Sequence, residues 1–286
     1  MHRRTWIKGI VGAMAGGSWA CARSSFAADG ELQLRFNLNM SNPGAVALAA
    51  QRVWMYLPVR RSACWTLGGI DFGLPHELQR DALGHSILFV PLDGLTAYAR
   101  RSAPLMVHLK RTEMMSSPVI QDANEWLDPE RYIESDAGEI ASQASALRSG
   151  TTRETIRNIY DFVASNLEYA GYLLENFGAL YALRRRRGDC TEYAGLVVAL
   201  CRALSIPARM VEGYVTDRSF APKPMDFHDW AEVVVDGRWR VVDAQKGSFL
   251  ERDEQYIPLR YYRDRALNGV GLAHRYRVEG EMEFSV

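Results

Sequence analysis

The sequence has 286 residues, with 34 basic and 34 acidic side chains and 48% hydrophobic residues. This length predicts one large or two modest domains, and the apolar fraction is typical of a folded globular protein rather than a disordered one. The balanced charge provides no overall field for nucleic acid or for an anionic membrane surface, so we expect neither as a partner. No apolar run reaches the roughly 20 residues of a membrane-spanning helix, so no transmembrane segment is expected.

The first thirty residues have the composition of an export signal. Residues 3–8 (RRTWIK) are followed by a mild apolar stretch and then by small residues, which is the order found in secretory signals. The paired arginines, the bulky apolar residue after them and the lysine resemble a twin-arginine signal. We therefore interpret 1–29 as a signal peptide and expect a periplasmic or secreted protein. A lipid anchor on Cys21 is not expected, because Ser18 stands where such motifs carry an aliphatic residue.

The cysteines that follow the predicted signal are odd in number. Cys64, Cys190 and Cys201 remain, so at least one thiol is free or pairs between chains. Because disulfides are the usual state of cysteine in an oxidising compartment, a retained thiol indicates a function.

Residues 30–115 have the pattern of a small antiparallel β-sandwich. Apolar residues alternate with polar ones from Leu32 to Leu38, as in a strand with one buried face. Further β-rich runs, separated by Gly and Pro, follow at 53–57, 86–90 and 105–109. We therefore predict an N-terminal β-sandwich domain.

A polar, proline-bearing segment at 116–129 marks the predicted boundary to a second domain over 116–286. Helices are predicted over 136–147 and 152–167, and the second has an apolar stripe with helical spacing. This stripe consists of Ile156, Ile159, Tyr160, Val163 and Leu167. Another helix is predicted after Gly188, and a strand pattern follows it.

The neighbours of Cys190 place it at the start of this helix. Asp189 is a good N-cap, and Glu192 completes a capping-box pair. Unpaired backbone N–H groups and the helix dipole favour a thiolate in the first turn, so the pattern predicts a nucleophile with a lowered pKa. Taken alone, Cys190 also fits a small buried hydrophobe. Cys201 falls in the apolar stripe of the helix, about 16 Å further along its axis, and is predicted to be core.

A β-hairpin is predicted around Asp236 and Gly237, which separate two β-rich runs. Counting outward from a two-residue loop places His228 and Asp243 on the same face as diagonal neighbours, with Cβ atoms about 7–8 Å apart. A carboxylate and an imidazole can close that gap, and the acid then orients the base. Taken alone, His228 also fits a structural histidine, and a one-residue slip in register would separate the pair.

Four segments of the chain resemble the motifs of one family, the transglutaminase-like superfamily. They are 188–190 (GDC) with its helical continuation, 206–214 (IPARMVEGY), 228–233 (HDWAEV) and 239–243 (WRVVD). The resemblance covers about 115–286 and includes the order Cys, His, Asp. One departure is Ala244, where many members carry proline.

The resemblance implies an α+β fold with a papain-like core. In such a core a helix-borne cysteine packs on an antiparallel sheet that carries the histidine and the aspartate, here preceded by the small β-sandwich. It implies that Cys190 is the nucleophile, that His228 is the general base and that Asp243 is the orienting acid. The preceding β-domain is similar to that of exported bacterial members.

This assignment implies an exported thiol enzyme that attacks an amide carbonyl and forms an acyl-enzyme. Hydrolysis of a peptide or protein substrate, as a peptidase or amidase, is the first interpretation. Acyl transfer to an amine, as in transglutaminases, is the second. A binding or scaffolding protein that keeps the fold without turnover is the third.

The sequence offers four further site candidates. Tyr169 falls near the segment that can supply an oxyanion-side aromatic in this family, with a packing tyrosine as the alternative. Arg186 and Arg187, in an arginine run before Cys190, and Trp230 are substrate-side candidates; a solvated loop is the alternative for the arginines. No metal or cofactor is expected, because histidine and cysteine residues nowhere have the spacing of metal ligands.

Overall fold

The structure, a computed structural model, describes residues 30–112 and 123–286. The predicted signal peptide 1–29, with Cys21, lies outside the described residues. So do residues 113–122, which include the first part of the predicted boundary segment 116–129.

The first part of the chain builds two facing antiparallel sheets. Its strands are β1 (Glu31–Ser41), β2 (Gln51–Leu57), β3 (Trp65–Phe72), β4 (Glu77–Arg80), β5 (Ser86–Leu92) and β6 (Arg100–Arg111). In β1 every second residue from Leu32 to Met40 is buried and the residues between them are more exposed, because successive side chains of a strand point to opposite faces. The predicted β-rich runs lie within β2, β5 and β6, so the predicted strand-rich region before the α+β core is confirmed.

The end of the chain returns to these sheets. Strand β14 (Tyr276–Glu279) pairs with β2, and β15 (Glu283–Ser285) pairs with β1. The sheets thus have the orders β15-β1-β6-β3 and β14-β2-β5-β4. The sequence analysis assigns these last residues to the second domain, whereas their backbone hydrogen bonds extend the β-sandwich. The segment between β6 and β14 is therefore tied to the sandwich at both ends.

Four α-helices lie in the other part of the described chain, together with a second group of strands. The helices are α1 (Gly138–Leu147), α2 (Thr152–Asn166), α3 (Ala179–Arg185) and α4 (Cys190–Ala203). Helix α2 begins with a capping box, in which Thr151 accepts from the Glu154 N–H and the Glu154 carboxylate accepts from the Thr151 N–H. Helix α3 has only seven residues, too few for a periodic pattern, which explains why the sequence did not reveal it. Within the described ranges, no helix combines the length and apolarity needed to cross a membrane.

Helix α4 lies at the centre of this part. Every residue from Thr191 to Arg202 is buried, because α1, α2 and α3 pack around it and a five-stranded antiparallel sheet covers it. The strands of this sheet are β9 (Ala208–Val215), β10 (Phe227–Val235), β11 (Arg238–Asp243), β12 (Ser248–Phe249) and β13 (Tyr256–Tyr261), in the order β12-β11-β10-β9-β13. This is the α+β arrangement that the resemblance implies.

The β10–β11 hairpin has the predicted register. Val235 pairs with Arg238, and Ala231 pairs with Val242. The loop residues Asp236 and Gly237 have φ values of 51° and 69°, and a two-residue type I′ turn requires positive φ at both positions. The turn thereby decides which side chains of the two strands share a face.

Candidate active site

Two carboxylates cap the N-terminus of α4 through hydrogen bonds. The Asp189 Oδ1 accepts from the Thr191 N–H at 2.9 Å, and the Glu192 Oε2 accepts from the Asp189 N–H at 3.0 Å. Gly188 precedes them because a Cβ at this position would lie 2.3 Å from the Glu192 Cβ. Cys190 is therefore the first residue of the helix, as predicted, and its side chain lines a cleft of about 790 Å³.

The sulfur of Cys190 faces a buried carboxyl group. Its Sγ lies 3.8 Å from the Asp229 Oδ2, and the Thr191 hydroxyl donates to the same oxygen at 2.7 Å. Burial, followed by the negative charges of Asp229 and Asp189, raises the pKa of Cys190. The sequence-based expectation of a lowered pKa is therefore not met, because burial penalises the thiolate first and the carboxyl groups of Asp229 and Asp189 oppose it further.

His228 and Asp243 meet as the hairpin register predicts. The His228 Nε2 lies 2.8 Å from the Asp243 Oδ2, and both side chains are buried. Asp243 also accepts from the Tyr256 hydroxyl at 2.9 Å and from the N–H groups of Gln245 and Lys246. Burial opposes its charge, but these bonds and the histidine outweigh burial and lower the pKa of Asp243. Since Asp243 stays ionised, Nε2 carries the ring proton and the other ring nitrogen is left as a base.

Tyr169 lies on the rim of the same cleft. It belongs to β7 (Glu168–Tyr169), which pairs in parallel with β8 (Arg187–Gly188) and so brings the ring close to the start of α4. Burial and the nearby Cys190 raise the pKa of Tyr169, which keeps its hydroxyl protonated. The residue is half-exposed, and its protonated hydroxyl can act as a hydrogen-bond donor in the cleft.

The three predicted substrate-side residues lie elsewhere. Of the residues that the structure describes, those lining the cleft do not include Arg186, Arg187 or Trp230. Arg186 ends α3 in a left-handed conformation, and Arg187 is exposed on β8. Trp230 is fully buried on the face of β10 that points away from α4. On that face its ring centroid lies 5.1 Å from that of Tyr256. It stacks behind His228, with ring centroids 6.4 Å apart.

Several residues of the cleft were not predicted. The position of Asp229 could have been predicted from the sequence. Side chains alternate along β10, so Asp229 faces the helices together with Ala231 and Val233. The segment between β9 and β10 supplies another wall, which contains Phe220. Strand β1 holds this wall, since the Phe220 N–H donates to Gln33 and its carbonyl accepts from the Arg35 N–H at 3.0 Å. No local pattern could show that the β-sandwich supports the cleft.

The remaining cysteines are separate from the cleft. Cys64 and Cys201 are buried free thiols, and burial raises the pKa of each to about 12. Across 30–112 and 123–286, no group of three or more His, Cys, Asp or Glu side chains is arranged to hold a metal ion.

Comparisons with known proteins agree with this fold. Residues 139–244 match the sequence profile of the transglutaminase-like superfamily. A crystal structure of a proposed cysteine protease from Cytophaga hutchinsonii covers 90% of this chain and 90% of its own, with 20% identity and a TM-score of 0.59, which shows a shared fold.

Two curated relatives match parts of the chain. Kyphoscoliosis peptidase from Homo sapiens is 31% identical over 111 residues, which are 35% of this chain and 16% of that protein. An uncharacterised protein from Mycobacterium leprae is 26% identical over 166 residues, which are 56% of this chain and 58% of the relative. The matches thus span only part of the length of these relatives. The family match is thus limited to residues 139–244, which are similar to the core of the transglutaminase-like superfamily.

Tyr256→Phe tests how strongly the Asp243 hydrogen bonds stabilise the fold. Losing a donor to a buried carboxylate should lower the free energy of unfolding by about 1–3 kcal/mol at pH 7. Because the pKa of Asp243 is lowered in the folded state, its contribution is present above about pH 4 and is lost as the pH falls through the folded value. Urea unfolding at several pH values should show the difference from wild type shrinking in acid.

The matched control is Tyr262→Phe. The Tyr262 hydroxyl donates to the neutral carbonyl of Arg131 at 2.7 Å, so its removal should cost a similar or smaller amount that does not depend on pH between 3 and 7. Parallel pH dependences for the two variants would contradict the ionised state of Asp243.

Proposed function

We propose that this protein is a thiol enzyme that cleaves amide bonds through Cys190, His228 and Asp243. The observation that carries the proposal is the 2.8 Å hydrogen bond between His228 and Asp243, in a cleft that Cys190 also lines. Asp243 orients the ring and stabilises its protonated form, and His228 takes the thiol proton when substrate binds. The thiolate then attacks the carbonyl carbon and forms the acyl-enzyme.

The developing oxyanion needs donors beside the sulfur. The backbone N–H of Cys190 lies in the first turn of α4, where such groups lack helical partners. The protonated Tyr169 hydroxyl is the second candidate donor. His228 returns its proton to the leaving amine, and water releases the acyl group as a carboxylic acid.

The cleft suits an extended peptide. Its rims carry exposed apolar side chains, with Tyr172 82%, Leu174 91% and Met225 85% exposed. Exposed apolar groups beside a cleft are favourable contacts for a substrate that covers them. We therefore infer a peptide or protein substrate. We also propose that the protein acts in the periplasm or outside the cell after twin-arginine export, which the resemblance of residues 1–29 to such a signal supports.

A product analysis tests the reaction class. The protein is incubated with a mixture of peptides of known sequence and with a biotinylated short alkylamine at millimolar concentration, and products are identified by mass spectrometry. We expect new carboxyl ends that depend on Cys190, with the amine as a minor acceptor. Cys190→Ala is the matched control.

Two other results have definite meanings. Dominant incorporation of the amine would replace hydrolysis by acyl transfer, the reaction of a transglutaminase. The absence of any Cys190-dependent product and of any acyl adduct on the sulfur, across the peptide mixture, would overturn the enzyme proposal in favour of a binding protein.

A further inference from the structure

Two buried carboxyl groups lie behind the sulfur of Cys190. Asp229 on β10 and Glu212 on β9 are directly opposite each other in the antiparallel pair. Their exposed fractions are 7% and 0%. Only Asp229 touches the sulfur, through its Oδ2 at 3.8 Å. Two acids at neighbouring positions of a buried sheet are costly if both are ionised, so their arrangement requires a physical explanation.

Each of these carboxyl groups has one oxygen without a partner. The Asp229 Oδ1 and the Glu212 Oε2 are both buried, and neither has a hydrogen-bond partner among the described residues. The other oxygen of Asp229 is held by the Thr191 hydroxyl, and the other oxygen of Glu212 by Arg260 and by His274 at 3.2 Å. Buried polar atoms are nearly always satisfied. Directly opposed side chains have Cβ atoms about 4.5–5.5 Å apart, so one proton between the two free oxygens would satisfy both.

We propose that Asp229 and Glu212 share one proton, and that this carboxyl pair decides whether the thiol of Cys190 can ionise. Arg260 and His274 keep Glu212 as the charged member, so Asp229 carries the proton on Oδ1 and donates it to the Glu212 Oε2. Asp229 is then neutral where it touches the sulfur. Once the pair loses this proton, a carboxylate faces the sulfur and repels a thiolate. The inference rests on the proposed function, in which Cys190 is the nucleophile.

The charges around Asp229 support this assignment of the proton. Its charged and titratable neighbours are His228 on its own strand, Asp189 and Cys190 at the start of α4, Glu212 on β9 with Arg260 of β13 behind it, and His274 before β14. Burial, followed by the negative charge of Glu212, raises the pKa of Asp229 to about 7. The hydrogen bond that His274 donates to the Glu212 carboxylate raises the pKa of His274, which favours its cationic form. The pair is thus protonated in mild acid and ionised in mild base.

The proton of the pair is not consumed in the reaction. The thiol proton moves to His228 and returns with the leaving amine, while the shared proton stays between Asp229 and Glu212. The pair therefore acts on the ionisation of the sulfur only. This separates it from the roles of His228 and Asp243, and it predicts an effect on a measurement that needs no substrate.

Asp229→Asn in the full chain is the test. The asparagine carbonyl can accept from Thr191, and its amide can donate to Glu212, so the variant mimics the protonated pair at every pH. Alkylation of Cys190 by iodoacetamide is followed by mass spectrometry between pH 5.5 and 8.5. A like charge within about 4–6 Å changes an ionisation equilibrium by roughly 10–1,000-fold. We therefore expect Asp229→Asn to react about tenfold or more faster than wild type at pH 8, and within about twofold of it at pH 5.5.

Glu212→Gln should have the opposite effect, because Asp229 without its charged neighbour ionises at lower pH. It should slow alkylation near pH 6–7. If this variant fails to fold because Arg260 loses its partner, Asp229→Asn still decides the question. Glu232→Gln is the matched control: Glu232 is a buried acid on the same strand that pairs with Arg209, and its profile should follow wild type.

Three outcomes would overturn the proposal. They are superimposable profiles for Asp229→Asn and wild type, an acceleration that is equal at pH 5.5 and pH 8, and an equal shift in Glu232→Gln. Because alkylation requires no turnover, each of these results stands apart from a failure to find amide cleavage.

Discussion

Cys190→Ala should remove nearly all turnover while leaving the fold unchanged. Loss of the nucleophile in a triad lowers kcat by on the order of 10⁵–10⁶. The side chain is only partly buried and makes no structural hydrogen bond beyond its weak contact with Asp229, so thermal unfolding should match that of wild type. The measurement is the rate of peptide cleavage under saturating substrate, together with an unfolding curve.

Cys201→Ala is the matched control for this variant. Cys201 is completely buried on the same helix. Removing its sulfur deletes about one buried methylene equivalent, which should cost about 1 kcal/mol of stability and leave the specific activity intact. If Cys190→Ala retained activity, the nucleophile would have to be another residue, and the proposed mechanism would fall.

His228→Ala should reduce kcat by at least about 10²–10⁴, the range that a positioned acid–base group contributes. Asp243→Asn should cost a similar factor, because the ring then loses the charge that selects its tautomer. Both effects should appear in kcat rather than in KM, since neither residue is proposed to hold the ground-state substrate. Single-turnover kinetics of acyl-enzyme formation would locate the loss in the first chemical step.

At position 243, asparagine tests the role of the charge with less risk of unfolding than alanine. Asp243 is 2% exposed and accepts from His228, Tyr256 and two backbone N–H groups. Alanine would leave these buried donors unpaired at about 1–3 kcal/mol each, so a loss of activity could reflect unfolding. Trp239→Phe is a suitable control on the same hairpin, outside the cleft lining. Full activity in both His228→Ala and Asp243→Asn would contradict the base assignment.

The start of α4 and the hairpin register could be predicted because both depend on residues close together in the chain. A capping box involves positions three residues apart, and Asp189 and Glu192 form it. A two-residue loop sets the pairing of the strands beside it. Counting residue pairs outward from this loop therefore predicts that His228 and Asp243 lie on the same face. The alternating pattern of β1 likewise predicted a buried face.

The environment of the cysteine could not be predicted in this way. The helix dipole acts locally and favours a thiolate, but the tertiary structure buries the sulfur and places the Asp229 carboxyl against it, and burial followed by this carboxyl raises the pKa of Cys190. Burial penalises the thiolate more strongly than the partial charge of a helix end, already capped by Asp189, can stabilise it. Which charge is near depends on how β10 packs on α4, and neighbours along the chain do not reveal this.

The helix that presents Cys190 and the strand pair that joins His228 to Asp243 were predictable from the sequence, because short-range hydrogen bonding and side-chain alternation produce these features. Tertiary structure alone decided that β14 and β15 extend the sandwich sheets, that β1 supports the Phe220 wall of the cleft, and that Trp230 packs behind the histidine instead of lining the cleft. These features arise where segments distant in sequence bury surface against each other, and such burial depends on the shapes of both partners at once.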